Sequence, residues 1–327
     1  MSKLYKWGII GPGKIAEKFA ASLQLVNGSK VYAVASRDLT KAQQFAQKFS
    51  AGKVYASYTD LVQDAAVDVI YVATPHTFHH SHTLLCLQHK KAVVCEKPMT
   101  VNYSSAQAMI AAAQINNTFF MEGMWTRFFP SVHKALELIG QGAIGEVKYL
   151  QASFGFSAPF DITSRLYDLK LGGGSLLDVG IYPLFLALLL FGEPAEMQCK
   201  SYMSLTGADE RTNVNLYYND GKMATIFSSI VAHTPVTAEI SGTRGSITLL
   251  APWYKSETVV LKRADLTTEQ FSFPYEGPGF QYEIREVMNC LDKGLIESSQ
   301  MPHSFSLLMS KTMDEICRQC GLRYDIA

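Results

Sequence analysis

Two near-continuous apolar runs, VDVIYVAT at 67–74 and KAVVCEK at 91–97, constrain this chain most. A strand with one wet face alternates apolar and polar residues. These runs do not, so both of their faces must be covered, as they are in a parallel sheet sandwiched between helices. Their neighbours fit that arrangement. YKWGII is a short apolar strand, KIAEKFAASLQL has helical spacing, KVYAVAS is a β-branched strand and LTKAQQFAQKFS a polar-faced helix. SSAQAMIAAAQINN reads as a helix and TFFMEGMW as a further strand. Repeated β-α-β over about 120 residues predicts a parallel sheet with helices on both faces.

The pattern changes near Trp125. FPSVHKALELIGQG reads as a helix closed by glycine, and GEVKYLQASFGFS alternates like a strand. An apolar helix, GGGSLLDVGIYPL running on to Phe191, follows. From about 195 to 273 come seven short alternating strands, some separated by the turns Asn219-Asp220-Gly221 and Thr243-Arg244-Gly245. Two helical segments, about 280–292 and 303–321, close the chain. The expected fold is an α/β Rossmann domain at 1–124, followed at 125–327 by an α+β domain with a large open, mainly antiparallel sheet. A chain of 327 residues, 48% apolar and 18% charged, can build both cores.

Composition excludes several function classes. Lys+Arg and Asp+Glu are each 29, and a zero net charge argues against a nucleic-acid binder, so no nucleic-acid partner is expected. The start passes directly into a strand-like run without a signal-peptide pattern. The longest clean apolar run, 181–191, is about half a membrane span, so no membrane role is expected. Six scattered cysteines fit reduced thiols in the cytoplasm, Cys317-x-x-Cys320 included.

After the first strand the chain reads Gly11-Pro12-Gly13-Lys14-Ile15-Ala16, a Gly-x-Gly-x-x-Ala dinucleotide fingerprint. Gly11 makes the tight turn, Gly13 lets the backbone approach a pyrophosphate, and Ala16 permits close helix–strand packing. Lys14 and Ile15 open the helix whose amide end attracts the anion. The second strand ends at Ser36-Arg37. A hydroxyl and a guanidinium there suit a ribose 2′-phosphate, whereas the acid an NAD enzyme uses, Asp38, comes one or two positions late. NADP is therefore expected in preference to NAD. Glu96-Lys97-Pro98 stands at the carboxyl end of a buried strand, the edge where open α/β sheets bind ligands. A lysine beside a nicotinamide can hold a substrate hydroxyl and ease its deprotonation.

In chain order, Gly-x-Gly-x-x-Ala, Thr74-Pro75-His76, Glu96-Lys97-Pro98 and the Gly-Gly-Gly-x-Leu-x-Asp-x-Gly-x-Tyr helix resemble the glucose-fructose oxidoreductase / inositol dehydrogenase family over nearly the whole chain. CEKPM, MEGMWTRFFP and YEIREVMNCLDKGLIES resemble most its dimeric dihydrodiol dehydrogenases, also described as NADP-dependent D-xylose 1-dehydrogenases. The resemblance implies NADP, oxidation of a secondary or anomeric hydroxyl or the reverse reduction, and a homodimer through the exposed face of the C-terminal sheet. It implies that Thr74, Pro75, His76, Glu96 and Lys97 line the cofactor, and that Trp125, Arg127 and Phe128 lie at the active site. The substrate would be a small molecule: a sugar, a trans-dihydrodiol or a dicarbonyl compound. The family also contains a corepressor, so a non-catalytic NADP-binding regulator is the alternative. The intact Glu96-Lys97-Pro98 opposes it.

Asp178 and Tyr182 are four apart on the apolar helix and share a face. Tyr182 can take or give the hydroxyl proton if a cation such as Lys97 lowers its pKa. Asp178 can accept from a substrate hydroxyl or orient Lys97. Whether Lys97 or Tyr182 carries the proton stays open at this level. Phe154 and Phe156 alternate on one strand and suit either a pocket wall or core. Histidines 76, 79, 80 and 82 lack a carboxylate partner, so no metal is expected.

Overall fold

The computed structural model describes residues 3–324, in which the chain forms two compact units. The first takes the chain up to Trp125 and adds Glu276–Leu307. The second takes Thr126–Tyr275 and residues 308–324.

The first unit runs β1 Tyr5–Ile10, α1 Lys14–Leu23, β2 Ser29–Ala35, α2 Leu39–Phe49, β3 Lys53–Tyr55, α3 Tyr58–Gln63, β4 Val69–Val72, α4 His79–Gln88, β5 Ala92–Glu96, α5 Tyr103–Ile115 and β6 Phe120–Gly123. Its six strands lie in the order β3-β2-β1-β4-β5-β6, every pair parallel. The order reverses between β1 and β4, the switch point at which such sheets bind ligands. All residues of β4 and β5 are buried, as their unbroken apolar runs require. In α1, Ala16, Phe19, Ala20 and Leu23 recur at helical spacing and are fully buried against the sheet side. α2 is started by Asp38, whose carboxylate accepts from the Lys41 amide at 3.2 Å. The later helix α8, Gln281–Asp292, packs on α1.

The second unit contains α6 Pro130–Gly140, β7 Val147–Gly155, α7 Ile181–Phe191, β8 Glu196–Met203, β9 Asp209–Tyr217, β10 Met223–Ser229, β11 Ala238–Gly242, β12 Gly245–Leu249, β13 Thr258–Arg263 and β14 Thr268–Ser272. α9, His303–Cys320, begins in the first unit and ends in the second. The eight strands lie in the order β14-β13-β12-β11-β7-β10-β9-β8, antiparallel except for β7 with β10. Register aligns Leu261, Ile247, Ile240, Leu150, Ala224 and Leu216 in one row across six strands, each no more than 1% exposed. Burying each of the larger side chains contributes about 1.5–3 kcal/mol, and a slip of one residue would turn the whole row to the polar face. That opposite face carries Asn215, Thr225, Gln151 and Glu239 in a matching row.

The seven late strands and two closing helices stand where the alternation and periodicity predict them. β3 and α3 are not foreseen. β3 has three residues, none of them buried, and leaves almost no pattern. The apolar helix also differs from its prediction: a five-residue π turn, Leu176–Gly180, precedes α7. Leu169–Phe191 is long and apolar enough to cross a membrane by length and composition. However, 78% of its apolar window is buried in the structure, with α7 lying against β7 and β10.

Candidate active site

In the first unit, the carboxyl ends of β1, β2, β4 and β5 bring the predicted cofactor residues to one edge of the sheet. Gly11 follows β1 with φ +85°, and a Cβ there would stand 2.9 Å from the carbonyl of Ala73 and from Thr74 Cγ2. Only glycine fits that turn. Its amide donates to the Ala35 carbonyl at 3.3 Å, which ties the turn to the end of β2. At Gly13, by contrast, no atom lies within 4 Å of where a Cβ would be. Gly13 is the N-cap of α1 and offers no side-chain cap, so the helix starts without one beside exposed Lys14 and half-buried Ile15. A cradle of this shape fits a pyrophosphate.

Ser36 and Arg37 follow β2. Ser36 Oγ accepts from the Asp38 amide at 3.1 Å, and Asp38 is engaged in capping α2. The Arg37 guanidinium lies 5.4 Å over the ring of Phe78. Thr74, Pro75 and His76 follow β4, with Thr74 and His76 buried. Thr74 Oγ1 is 3.0 Å from His82 Nδ1. Burial, then the charges of His79 and Arg37, hold His82 down at about 4. His79 is fully buried, with Nδ1 2.8 Å from the Pro98 carbonyl and Nε2 2.7 Å from the Thr74 carbonyl. It thereby staples the β4 loop to the β5 loop. Both acceptors are served together only when both ring nitrogens carry protons.

Glu96 ends β5 and is 4% exposed; its carboxyl accepts from the Tyr71 hydroxyl. Burial pushes it up to about 7, against the pull of Tyr71 and Lys97. Lys97, buried, and the cis Pro98 follow. The Met99 amide donates to Glu122 Oε1 at 2.8 Å, fixing the chain beyond the lysine. Tyr71 is held by Phe19, stacked at 3.7 Å, and Phe19 in turn meets Phe280 edge-on at 5.9 Å. One turn on from Phe280 stands Glu283. It is fully buried, and neither carboxyl oxygen has a hydrogen-bond partner among the described residues. Burial, then the charge of Glu96, raises its pKa well above the usual range. Trp125 is buried and stacks on Phe280 at 4.4 Å.

In the second unit, the π turn presents Asp178 and α7 presents Tyr182. The turn is anchored by Asp209, the first residue of β9. Its Oδ2 accepts from Ser175 Oγ at 2.6 Å, the Leu176 amide at 2.8 Å and Thr212 Oγ1 at 2.7 Å. Burial raises Asp209 to about 6 even with these donors opposing it. Gly174 has φ +119°, and a Cβ there would run into the Asp209 carboxylate. A Cβ on Gly173 would meet the Arg165 carbonyl at 2.6 Å. The close approach that Gly173 and Gly174 permit is thus to the protein's own backbone and to Asp209. Asp178 Oδ1 accepts from Arg165 Nη2 at 2.7 Å. Tyr182 is 5% exposed and joins two other rings: Phe154 at 5.5 Å and Tyr254 at 5.2 Å. Phe154 stacks on Tyr254 at 4.3 Å.

Phe156 lies one residue past the end of β7 and makes no contact with these rings among the described residues. Arg127 is half-buried and Phe128 buried, in a short 3-10 turn before α6. No cluster of metal-ligating side chains occurs among the described residues. Sequence reasoning missed Arg165, Asp209, Tyr254 and Glu283, and it weighed His79 only as a metal ligand. Only His79 and Tyr254 leave a local signal, one in the histidine run and the other beside Trp253.

Comparisons with known proteins bear on both units. Residues 5–124 match an oxidoreductase family with an NAD-binding Rossmann fold, and residues 132–248 match the GFO/IDH/MocA C-terminal domain. The chain is 37% identical to a trans-1,2-dihydrobenzene-1,2-diol dehydrogenase of Xenopus tropicalis, covering 98% of this chain and 99% of that one. It is 35% identical to the human protein of the same name, with 98% of each chain covered. Among solved structures, an aldose-aldose oxidoreductase from Caulobacter crescentus has a TM-score of 0.88 at 21% identity. A 3-ketoreductase from Actinomadura kijaniata, in complex with NADP and TDP-benzene, has 0.86 at 24%. Each covers 98% of both chains, and at these identities the likeness is one of fold.

Proposed function

The chain belongs to the GFO/IDH/MocA oxidoreductase family, and on that premise we propose that this dehydrogenase uses NADP to oxidise a secondary or anomeric hydroxyl of a sugar or trans-dihydrodiol, or to reduce the corresponding carbonyl. The observation that carries the proposal is the edge of the parallel sheet. There Gly11 and Gly13, Ser36 and Arg37, Thr74 to His76, and Glu96 and Lys97 follow consecutive strand ends.

Gly13 and the uncapped start of α1 would hold the pyrophosphate. Ser36 and Arg37 would hold the 2′-phosphate, while Asp38, the acid an NAD enzyme would offer to the ribose, is engaged in capping α2. The 3-ketoreductase of similar fold is described with NADP. When bound, the nicotinamide supplies or accepts the hydride. Lys97 donates to the oxygen of the reacting carbon and stabilises its developing negative charge. Tyr182 takes the hydroxyl proton in oxidation and returns it in reduction. Glu96 and Tyr71 fix the end of β5, and Asp178 accepts from a substrate hydroxyl. Assembly as a homodimer through the polar outer face of the eight-stranded sheet, and a cytoplasmic setting, complete the proposal.

The test is a substrate panel of pentoses, hexoses and trans-diols run with NADP and NAD side by side. Turnover with NADP on at least one class is expected. Cofactor binding without turnover on any class would overturn the proposal.

A further inference from the structure

The end of α9 and the edge of the eight-stranded sheet bring two thiols together. β8 is an end strand of that sheet. Along it Met197, Cys199 and Ser201 alternate onto a half-buried face, while Gln198, Lys200 and Tyr202 are exposed on the other. α9 closes at Cys320, where Gly321 takes φ +72° and the Leu322 amide donates back to the Cys317 carbonyl at 2.9 Å. The Cys199 thiol donates to the Cys320 sulfur, and Ser201 lies against the same sulfur.

The surroundings of the two thiols are fixed. Ser201 Oγ is 2.7 Å from Thr212 Oγ1, its register partner on β9. Thr212 Oγ1 donates at 2.7 Å to Asp209, the carboxylate that anchors the π turn. Tyr324, four residues beyond Cys320, donates to the other oxygen of that carboxylate at 3.4 Å. The chain leaving α9 is thereby tied to β9, the strand paired with β8.

A thiolate attacks an oxidant far faster than a thiol does. The hydrogen bond from Cys199 holds the Cys320 thiol below its ordinary value, against the opposing effect of burial, and the charge of Lys200 acts with it. The same bond pushes Cys199 the other way. Cys320 is therefore the nucleophile and Cys199 the resolving thiol. Both keep part of their surface exposed, whereas Cys317 is buried and its thiol is raised by that burial.

We propose that Cys199 and Cys320 form a reversible oxidation site, which peroxides convert to a disulfide joining α9 to the sheet edge. Cys320 attacks one oxygen of hydrogen peroxide. An S–O bond forms, the O–O bond breaks, and the leaving hydroxide takes up the thiol proton as water. The sulfur, oxidised, is then a sulfenic acid, and the peroxide is reduced. Cys199 attacks that sulfur. The S–S bond forms, the S–O bond breaks, and the hydroxyl leaves with the Cys199 proton as a second water. A small thiol reverses the bond by exchange. In a reducing compartment such a bond is transient and reports oxidation. None of these steps draws on the hydride chemistry, so the site stands apart from the dehydrogenase reading.

The full-length protein is reduced with dithiothreitol, freed of it, treated with hydrogen peroxide and alkylated, then digested with trypsin for mass spectrometry. Cleavage after Arg318 puts Cys317 and Cys320 on different peptides. A disulfide-linked pair of peptides carrying Cys199 and Cys320 is expected, and dithiothreitol should abolish it. The loop between them is long, so the oxidised protein should melt about 4–10 °C above the reduced one. Cys199→Ser keeps a hydroxyl donor beside Cys320. It should lose that rise and accumulate a dimedone-trapped sulfenic acid at Cys320. Cys320→Ser should leave Cys199 as a free thiol under the same treatment. A Cys317–Cys320 linkage in wild type would overturn the proposal. So would recovery of Cys199 and Cys320 as free thiols, or an equal melting rise in Cys199→Ser.

Discussion

The hydroxyl of Tyr71 donates to the carboxyl of Glu96, the residue immediately before Lys97. Burial drives Glu96 toward its neutral form, and this hydrogen bond favours the carboxylate; the balance leaves it near 7. Tyr71→Phe removes the opposing influence. Glu96 should then ionise about one to two pH units higher, since a hydrogen bond to a charged group contributes about 1.5–3 kcal/mol. The pH profile of kcat/KM, measured for wild type and variant, should shift upward with it. An unchanged profile would mean that the ionisation of Glu96 does not govern turnover.

Glu283 gives a stability prediction. Its folded pKa is raised above its unfolded value, so the folded state binds more protons over that window. The stability associated with the neutral form is complete below the unfolded pKa of about 4.3 and is lost as pH rises toward the folded value. Glu283→Gln keeps the shape and removes the ionisation. Its melting temperature should exceed that of wild type at about pH 8 and converge with it near about pH 4, by the same linkage. A variant less stable than wild type at the higher pH would mean that the carboxylate is paired.

The two fingerprint glycines should separate in a way their spacing alone does not reveal. Gly13→Ala places a methyl group where the structure has open space, so the fold should tolerate it. The methyl group would stand where a pyrophosphate approaches, and NADP affinity should weaken by about tenfold to a hundredfold. Gly11→Ala meets the Ala73 carbonyl at a positive φ and should cost stability as well. Melting curves and cofactor titrations on the two variants distinguish these outcomes. Equal behaviour would contradict the assigned roles.

Cofactor choice is assigned to Arg37, whose guanidinium lies over Phe78. Arg37→Ala should raise the KM for NADP by about ten- to a hundredfold, the scale of a charge-assisted hydrogen bond. The KM for NAD should barely change. A parallel loss with both cofactors would mean that Arg37 supports the edge generally and does not read the 2′-phosphate.

Much of this was legible in the sequence because it is local. The unbroken apolar strands, Gly11 and Gly13, and the hydroxyl–guanidinium pair after β2 all act within a few residues of themselves. The π turn was not legible, because four-residue spacing looks the same in either helix type. Nor was Asp209, which meets Ser175 across 34 residues. Arg165 sits in an irregular segment with no periodicity to expose it, although it holds the aspartate that the sequence did single out. Glu283 reads as an ordinary polar position in α8, and only its complete burial marks it. In each case the missing information is a tertiary contact, which no local pattern encodes.

The central claim is that Lys97 works at a dinucleotide-binding edge. It is tested most directly by measuring NADPH formation and NADP affinity for wild type and Lys97→Met on the best substrate of the panel. Turnover should fall by about a hundredfold to ten-thousandfold, the range expected when a residue that stabilises charge on the reacting oxygen is lost, while NADP affinity stays near the wild-type value. Wild-type turnover by Lys97→Met would contradict the account, and so would a wild-type protein that does not bind NADP.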